Sequence, residues 1–129
     1  MRTVILILFF IAGIGFTNAQ TGPVMAFDAE TIDYGTIAHK SDGTREFIFT
    51  NTGDAPLLIS NAKGSCGCTV PTWPREPIAP GEKGVILVRY ATDRVGKFTK
   101  TVTLTTNATE PVKVLTITGN VLPPAEEAN

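Results

Sequence analysis

The stretch of sequence that decides the fold is residues 84–104, GVILVRYATDRVGKFTKTVTL. In its first half the side chains alternate, and the apolar face of the predicted strand carries Ile86, Val88 and Tyr90. In its second half threonines alternate with the inward-facing residues Phe98, Val102 and Leu104. A period of two residues is typical of a half-buried β-strand. Because Asp93–Gly96 between the two runs ends in a glycine that can adopt a positive φ, the stretch predicts an antiparallel hairpin closed at this turn.

The rest of the chain repeats short β-branched and aromatic runs separated by turn residues. Further strands are predicted at residues 25–27 with 31–37 as one split strand, 45–51, 57–61, 68–73 and 115–121. Pro80 and Gly81 predict a type II turn, and Gly119 predicts a bulge or a point of close packing in the last strand. About seven short strands predict an all-β, immunoglobulin-like antiparallel β-sandwich, with a small closed barrel as the alternative.

The composition is typical of one small globular domain. The chain has 129 residues, of which 43% are hydrophobic and 18% are charged. Eleven Lys and Arg residues against twelve Asp and Glu residues give a formal net charge of −1. Because the chain has no basic field that would attract a phosphate backbone, we expect no nucleic-acid partner.

The N-terminal residues have the pattern of a secretory signal peptide. A positive start is followed by an apolar run over residues 4–16 and by the small residues of Thr17-Asn18-Ala19. The run is shorter than the ~20 residues that span a bilayer, so we expect no stable membrane insertion after cleavage. The predicted organisation is a signal peptide over residues 1–19, a sandwich domain over 20–122 and a flexible tail over 123–129. The mature protein is expected to be exported, to the periplasm or to the extracellular space.

The order of motifs along the chain resembles a known bacterial family. The motifs that carry the resemblance are Asp33-Tyr34-Gly35, FIFTNTG at residues 47–53, Ser65-Cys66-Gly67-Cys68-Thr69, Pro80-Gly81-Glu82, Gly96-Lys97-Phe98 and LTITG at residues 115–119. Together they resemble the family called domain of unknown function 1573 over nearly the whole mature chain. The resemblance implies an exported immunoglobulin-like domain, related in shape to modules that serve as interaction platforms. It assigns no activity, because function carried over from a fold is analogy alone.

Cys66 and Cys68 are the residues with the clearest chemistry. A thiolate is both a nucleophile and a metal ligand, so the pair can form a small-ring disulfide, exchange thiols or chelate a soft ion such as Cu(I). Two residues apart in an extended strand, the Cα atoms would be about 6.6–7 Å apart, at the limit of a disulfide. A bridge therefore needs a local turn, which Gly64 and Gly67 can supply. Zinc is disfavoured because a structural site needs four ligands.

A structural role for the two cysteines is the alternative. Free Cys is among the most buried residue types, and Trp73 with the flanking Val70 is expected to cover the pair. Export to an oxidising compartment argues against two exposed free thiols. Packing, a structural bridge, redox exchange and soft-metal binding therefore all stay open for Cys66 and Cys68.

The remaining candidate residues are expected to be solvated rather than catalytic or metal-binding. His39 lies in a polar stretch without a visible catalytic partner, so we expect a turn residue. Asp28, Glu30 and Asp33 suggest a calcium site but lack the regular spacing of a calcium loop, so we expect a charged sheet edge. The sequence predicts no cofactor.

The function that we expect is a non-catalytic binding or scaffolding module of the cell envelope, with a protein or other envelope component as its partner. The alternative, from a different class, is a thiol redox or copper-handling protein that acts through Cys66 and Cys68.

Overall fold

The computed structural model describes residues 22–125, so the predicted signal peptide and the end of the predicted tail lie outside the described residues. Within this range the chain forms eight strands and no helix. The strands are β1 (Met25–Phe27), β2 (Thr31–Ile37), β3 (Thr44–Asn51), β4 (Ile59–Gly64), β5 (Thr69–Thr72), β6 (Lys83–Tyr90), β7 (Gly96–Thr106) and β8 (Val112–Val121). Among these residues no helix is long and apolar enough to cross a membrane.

The strands form two four-stranded sheets that enclose one core. The first sheet has the order β1-β3-β6-β5 and the second has the order β2-β8-β7-β4. Neighbouring strands are antiparallel except β2 and β8, which run parallel. This arrangement confirms the predicted immunoglobulin-like β-sandwich. The barrel alternative is wrong, because the two sheets do not close on each other.

The predicted split first strand divides between the two sheets. β1 pairs with β3 in the first sheet, and β2 pairs with β8 in the second. The exposed residues 28–30 lie between β1 and β2 and carry the chain across. This sheet switch is why the chain has eight strands rather than about seven.

The predicted hairpin between β6 and β7 is wrong. β6 lies between β3 and β5, whereas β7 lies between β8 and β4 in the opposite sheet. The Arg94 N–H donates to the Ala91 carbonyl at 3.2 Å, and Gly96 has a φ of 113°. Residues 91–96 therefore turn the chain as predicted, but they carry it from one sheet to the other. Alternation shows which face of a strand is buried and leaves open which strand lies beside it.

The predicted faces of these two strands are confirmed. The fully buried side chains come from both sheets and include Phe47, Phe49, Leu57, Ile86, Val88, Val102, Leu104, Leu115, Ile117 and Val121. At one end of the core the Phe98 ring stacks on Tyr90 with centroids 3.8 Å apart and meets Tyr34 edge-on at 5.4 Å. A Cβ on Gly119 would lie 2.7 Å from Phe98 Cζ, and the register of β7 with β8 is unbroken there. Gly119 is therefore a close-packing point, and the irregularity beside it lies in β2, where Tyr34 and Gly35 together face Gly119.

One buried amide organises the loops at the other end of β3. Asn51 is fully buried, and its Oδ1 accepts hydrogen bonds from the backbone N–H groups of Val24 (3.2 Å) and Gly53 (3.0 Å). Its Nδ2 donates to the carbonyls of Ala55 (2.8 Å) and Ile78 (2.9 Å). Because both ends of the amide are satisfied, the buried side chain stabilises these loops instead of destabilising the core.

The predicted turn at Pro80 and Gly81 is confirmed. Gly81 has a φ of 82°, and the Glu82 N–H donates to the Ala79 carbonyl at 3.0 Å, which closes the four-residue turn before β6.

Candidate functional site

Cys66 and Cys68 lie in the tight turn that joins β4 to β5. The Thr69 N–H donates to the Cys66 carbonyl at 3.2 Å, which closes the turn. The turn brings the two Cα atoms to 5.2 Å, and the two sulfurs are joined in a disulfide. This separation is within the range of ordinary disulfides, whereas an extended strand would have placed the atoms at its limit.

The two glycines beside the cysteines have different roles. A Cβ on Gly64 would lie 1.9 Å from the Thr69 carbonyl oxygen, so only glycine allows the two arms of the turn to approach. A Cβ on Gly67 would meet nothing within 4 Å, and Gly67 is exposed. Gly64 therefore shapes the turn, and Gly67 leaves the outer side of the disulfide uncovered.

The two sulfurs differ in exposure. Cys68 is buried, with 7% of its surface exposed, and Cys66 is half-buried against the same core. The Cys68 N–H lies 3.2 Å from Cys66 Sγ as a donor. The Thr69 hydroxyl lies 3.8 Å from the Cys66 sulfur and 3.7 Å from the Cys68 sulfur. Both sulfurs thus have a polar hydrogen donor within reach, and Cys66 is the more exposed of the two residues.

The expected cover of the cysteines by Val70 is wrong. Trp73 packs against the core, with the Arg75 guanidinium 3.9 Å from its ring centroid. Val70 instead points to solvent, because it is 55% exposed on the outer face of its sheet. Alternation along β5 turns the residue after a buried Thr69 outward.

The disulfide contributes little to folding stability by chain entropy. Cys66 and Cys68 are separated by two positions, so the bridge closes a loop of three residues. In the loop-closure treatment such a loop gives about 1.6 kcal/mol at 25 °C, against about 3 kcal/mol for fifteen residues. A sandwich with a core from both sheets does not depend on this bridge.

Two depressions adjoin the disulfide at this end of the sandwich, with volumes of about 680 Å³ and about 480 Å³. They share four residues, Gly67, Cys68, Ala91 and Asp93. We call the two depressions together the end groove. Its other lining residues are Lys40, Ser41, Asp42, Gly43, Thr44, Cys66, Val70, Arg89, Tyr90, Thr92 and Arg94. The disulfide therefore forms part of the wall of a groove that is large enough for a peptide segment or a small molecule.

Hydrogen bonds between two loops hold the wall opposite the disulfide. The Lys40 N–H donates to the Thr92 carbonyl at 3.0 Å, and the Thr92 hydroxyl donates to the Ser41 carbonyl at 2.5 Å. His39 Nε2 lies 3.2 Å from the Asp93 carbonyl oxygen. The predicted turn residue His39 is thus half-buried and positions the loop that lines the groove.

The charges of the end groove are mixed, with a small positive excess. Three cationic and two acidic side chains line it: Lys40, Arg89, Arg94, Asp42 and Asp93. The Thr44 N–H donates to Asp42 Oδ1 at 2.9 Å, and this hydrogen bond holds the pKa of Asp42 below its usual value. Asp42 is therefore ionised at neutral pH, and the lining includes an anion beside the cations.

The predicted acidic edge has local partners. Glu30 forms an ion pair with Lys113, and Asp33 accepts a hydrogen bond from the Gly35 N–H at 2.8 Å. Within residues 22–125 no three His, Cys, Asp or Glu side chains converge on one point. Cu(I) binding by Cys66 and Cys68 would need two free thiolates, which the disulfide form does not offer.

A second surface feature lies on the outer face of the first sheet. Val70, Val85 and Leu87 are exposed there by 55%, 36% and 37%, and Val85 lies directly opposite the half-buried Ile48 of β3. We call these four residues the apolar strip. Val70 also lines the end groove, so the strip and the groove are continuous.

Sequence reasoning found Cys66 and Cys68 but missed the residues that surround them. Alternation places Leu87 and Val70 outward, and this signal was available. The meeting of the 40–44 loop with residues 89–94 had no sequence signal, because it depends on β3 pairing with β6.

Residues 25–121 match the family described as "Protein of unknown function (DUF1573)". The chain belongs to this family. The match extends from the first residue of β1 to the last residue of β8, so the DUF1573 domain is the whole sandwich and includes the disulfide turn. No curated protein matches the sequence.

Solved structures share the fold of this DUF1573 domain at low sequence identity. A protein of unknown function from Porphyromonas gingivalis W83 matches with a TM-score of 0.68 and 13% identity, over 84% of this chain and 51% of that one. The PapD-like domain 7 of human CEP192 matches with a TM-score of 0.63 and 9% identity, over 98% and 99%. The secreted serine protease VesC from Vibrio cholerae matches with a TM-score of 0.56 and 13% identity, over 82% and 24%.

These identities show the fold alone. The chain spans about half the length of the Porphyromonas gingivalis protein and about a quarter of the protease. The DUF1573 domain thus has an immunoglobulin-like shape that also occurs as part of longer chains. Its function has to be argued from its own surface.

Proposed function

We propose that this DUF1573 domain is a non-catalytic binding module of the cell envelope, and that it docks a protein partner through the apolar strip. The observation that carries the proposal is the exposure of Val70, Val85 and Leu87 on one sheet face. Contiguous exposed apolar side chains favour a contact surface, since they gain free energy when a partner removes them from water.

Two features support a place in the envelope. The residues expected to form a signal peptide, 1–19, direct a chain to export. Disulfides persist in oxidising compartments, and Cys66 is bonded to Cys68. Both features suit the periplasm and the extracellular space.

The charges beside the strip define the chemistry of the partner. Lys83 and Arg89 extend outward at the two ends of β6, and Glu46 faces outward opposite Leu87. We therefore propose a partner that presents apolar side chains flanked by acidic ones. Such a partner gains contact area from the strip and a favourable rate of association from the cations.

The face of the sheet is a better docking surface than its β5 edge. The Ala91 N–H donates to the Cys68 carbonyl at 2.8 Å, so Cys68 bonds toward β6. In an antiparallel ladder every second residue bonds to the neighbouring strand, and the backbone groups of the residues between them point the other way. The backbone groups of Thr69 and Pro71 therefore point toward the free edge. The Thr69 N–H is already bound to the Cys66 carbonyl, and Pro71 has no N–H. A partner strand would find no donor at these two positions, so addition of a strand to this edge is disfavoured.

The outer face of the second sheet has a different chemistry. Its centre carries threonines in direct cross-strand pairs, Thr99 with Thr118 and Thr101 with Thr116. At the far end of that face Val112 and Val114 are exposed by 56% and 48%. This face therefore has an exposed apolar pair of its own, and it offers a control for whether the position of the strip, and not apolar exposure alone, decides docking.

The test compares the same substitution on the two faces. A photoreactive residue at position 87 identifies the partner in producing cells, and purified partner is then titrated against Val70→Glu and Val112→Glu. These positions are 55% and 56% exposed, so both variants should fold equally well. We expect Val70→Glu to weaken binding by about tenfold or more, because a new carboxylate faces an acidic partner, and Val112→Glu to leave it within about twofold. Equal effects of the two substitutions would contradict the proposal.

A further inference from the structure

We propose that the Cys66–Cys68 disulfide is a thiol–disulfide exchange site, which accepts electrons from thiols that enter the end groove. This activity goes beyond binding through the apolar strip and does not depend on it. The substrate class is a thiol, supplied either by a small molecule or by a cysteine of a polypeptide. Both sources offer the same attacking group, a thiolate.

The first support is access. Cys66 is half-buried, and Gly67 next to it has no side chain that would cover the sulfurs. Both depressions of the end groove are lined by Gly67 and Cys68, and the smaller one is lined by Cys66 as well. An attacking sulfur can therefore approach the disulfide from the smaller depression.

The second support is that the bridge is dispensable for the fold. It joins two cysteines that are two positions apart in the chain, so its loss releases only a short loop. The core does not need it, because the fully buried side chains are distributed over both sheets. A disulfide that can open without unfolding the domain is suited to exchange, whereas a bridge between distant strands is suited to stabilisation.

The exchange balances in two steps. A substrate thiolate attacks Cys66 Sγ, a mixed disulfide forms, and the bond to Cys68 breaks with its electron pair on Cys68 Sγ. A second substrate thiolate then attacks the substrate sulfur of the mixed disulfide and releases Cys66 as a thiolate. Two substrate thiols are oxidised to one disulfide, Cys66 and Cys68 are reduced to two thiols, and the two protons released by the substrate return to them.

Local donors stabilise both leaving groups. The Thr69 hydroxyl lies 3.7 Å from Cys68 Sγ, the first sulfur to leave. The Cys68 N–H lies 3.2 Å from Cys66 Sγ, the second sulfur to leave. Exchange is faster when the departing thiolate is stabilised. Among the charged residues of the groove, Lys40, Arg89 and Arg94 outnumber the two aspartates and favour approach of an anion.

The test measures exchange on the folded, oxidised protein at neutral pH. Reduced glutathione and a short cysteine-containing peptide serve as separate substrates, and free thiols are counted by alkylation and mass spectrometry. The reference is a synthetic peptide of residues 64–70 with the same disulfide, which has no groove and no protection. We expect at least one substrate to reduce the protein within about tenfold of the rate for that peptide. The faster substrate identifies the source of the thiol. If both substrates react more than about tenfold more slowly with the protein than with the peptide, the proposal is wrong.

Two single variants test which sulfur is attacked. Cys68→Ser leaves the accessible Cys66 thiol, and Cys66→Ser leaves the buried Cys68 thiol. With oxidised glutathione in excess, we expect Cys68→Ser to form the mixed disulfide at least about tenfold faster, because access limits the other variant. Circular dichroism confirms that both variants are folded. Equal rates in two folded variants would contradict the assignment of Cys66 as the entry point.

Discussion

Replacement of Tyr34 by phenylalanine tests how the second sheet is tied to the start of β3. The Tyr34 side chain is 7% exposed, and its hydroxyl donates to the Gly43 carbonyl at 2.7 Å. The same carbonyl also accepts the Tyr90 N–H at 3.0 Å, so the variant leaves no buried acceptor without a partner. The loss is therefore that of one net hydrogen bond, about 1 kcal/mol. For a domain of this size, we expect the melting temperature to fall by about 4 °C.

The same hydroxyl makes the effect of Tyr34→Phe depend on pH. Burial raises the pKa of Tyr34 from 10.0 to about 12, although the Arg45 guanidinium, 4.2 Å from the ring centroid, opposes part of the rise. The pKa of Tyr34 is higher in the folded protein than in the unfolded chain. The contribution of Tyr34 to folding stability is therefore fully present below pH 10 and is lost as the pH rises toward 12. At pH 11 the loss is about 1 kcal/mol for the wild type, and the phenylalanine variant does not suffer it. The advantage of Tyr34 should therefore fall from about 1 kcal/mol at pH 7 to about zero at pH 11.

Urea unfolding of both proteins between pH 7 and pH 11, followed by the fluorescence of Trp73, measures this difference. All residues other than Tyr34 are the same in both proteins, so their effects on stability cancel in the comparison. A difference that stays constant across the range would refute the burial argument. A loss above about 3 kcal/mol at pH 7 would show that the hydroxyl also holds neighbouring structure in place.

Three further results are expected. Gly84→Ala should lower the free energy of unfolding by about 1–3 kcal/mol, because the new Cβ would lie 2.3 Å from the buried Phe49 ring. Gly67→Ala should change it by no more than about 0.5 kcal/mol, because its Cβ would meet nothing within 4 Å. Chemical unfolding measures both. Leu104→Ala should lose about 2–5 kcal/mol and the outward Thr103→Ala about 0.5 kcal/mol or less; comparable losses would mean that the faces of β7 are misassigned. N-terminal sequencing of the exported protein should begin within a residue or two of Gln20, and an intact N-terminus in the membrane fraction would contradict the predicted signal peptide.

The positions of most strands could be predicted from the sequence because their pattern is local. The predicted limits of the split first strand, 25–27 and 31–37, agree with β1 and β2. The strand predicted at 57–61 begins instead at Ile59, because Leu57 makes an isolated antiparallel bridge with Ile78, outside the named strands. Where a strand begins or ends depends on the strands that pair with it, and a local alternation pattern does not predict these partners.

The candidate site was predictable only as a pair of residues. Their spacing showed that a bridge between Cys66 and Cys68 needs a turn, and Gly64 and Gly67 showed where that turn is possible. The groove beside them includes Lys40 and Arg89, which are 49 positions apart in the chain. Lys40 and Arg89 come together because β3 pairs with β6, so no local pattern of residues predicts that they line one groove.

By itself the sequence determined the fold class, the inward faces of the strands, the turn at Gly81 and the family. These follow from side-chain period, from the positive φ that glycine allows and from motif order, all of which are properties of short segments. Only the tertiary structure decided that β6 and β7 belong to opposite sheets and that the disulfide lines a groove continuous with the apolar strip. The reason is that a strand buries the same face whichever neighbour it has, and the choice of neighbour is made by the packing of all eight strands at once.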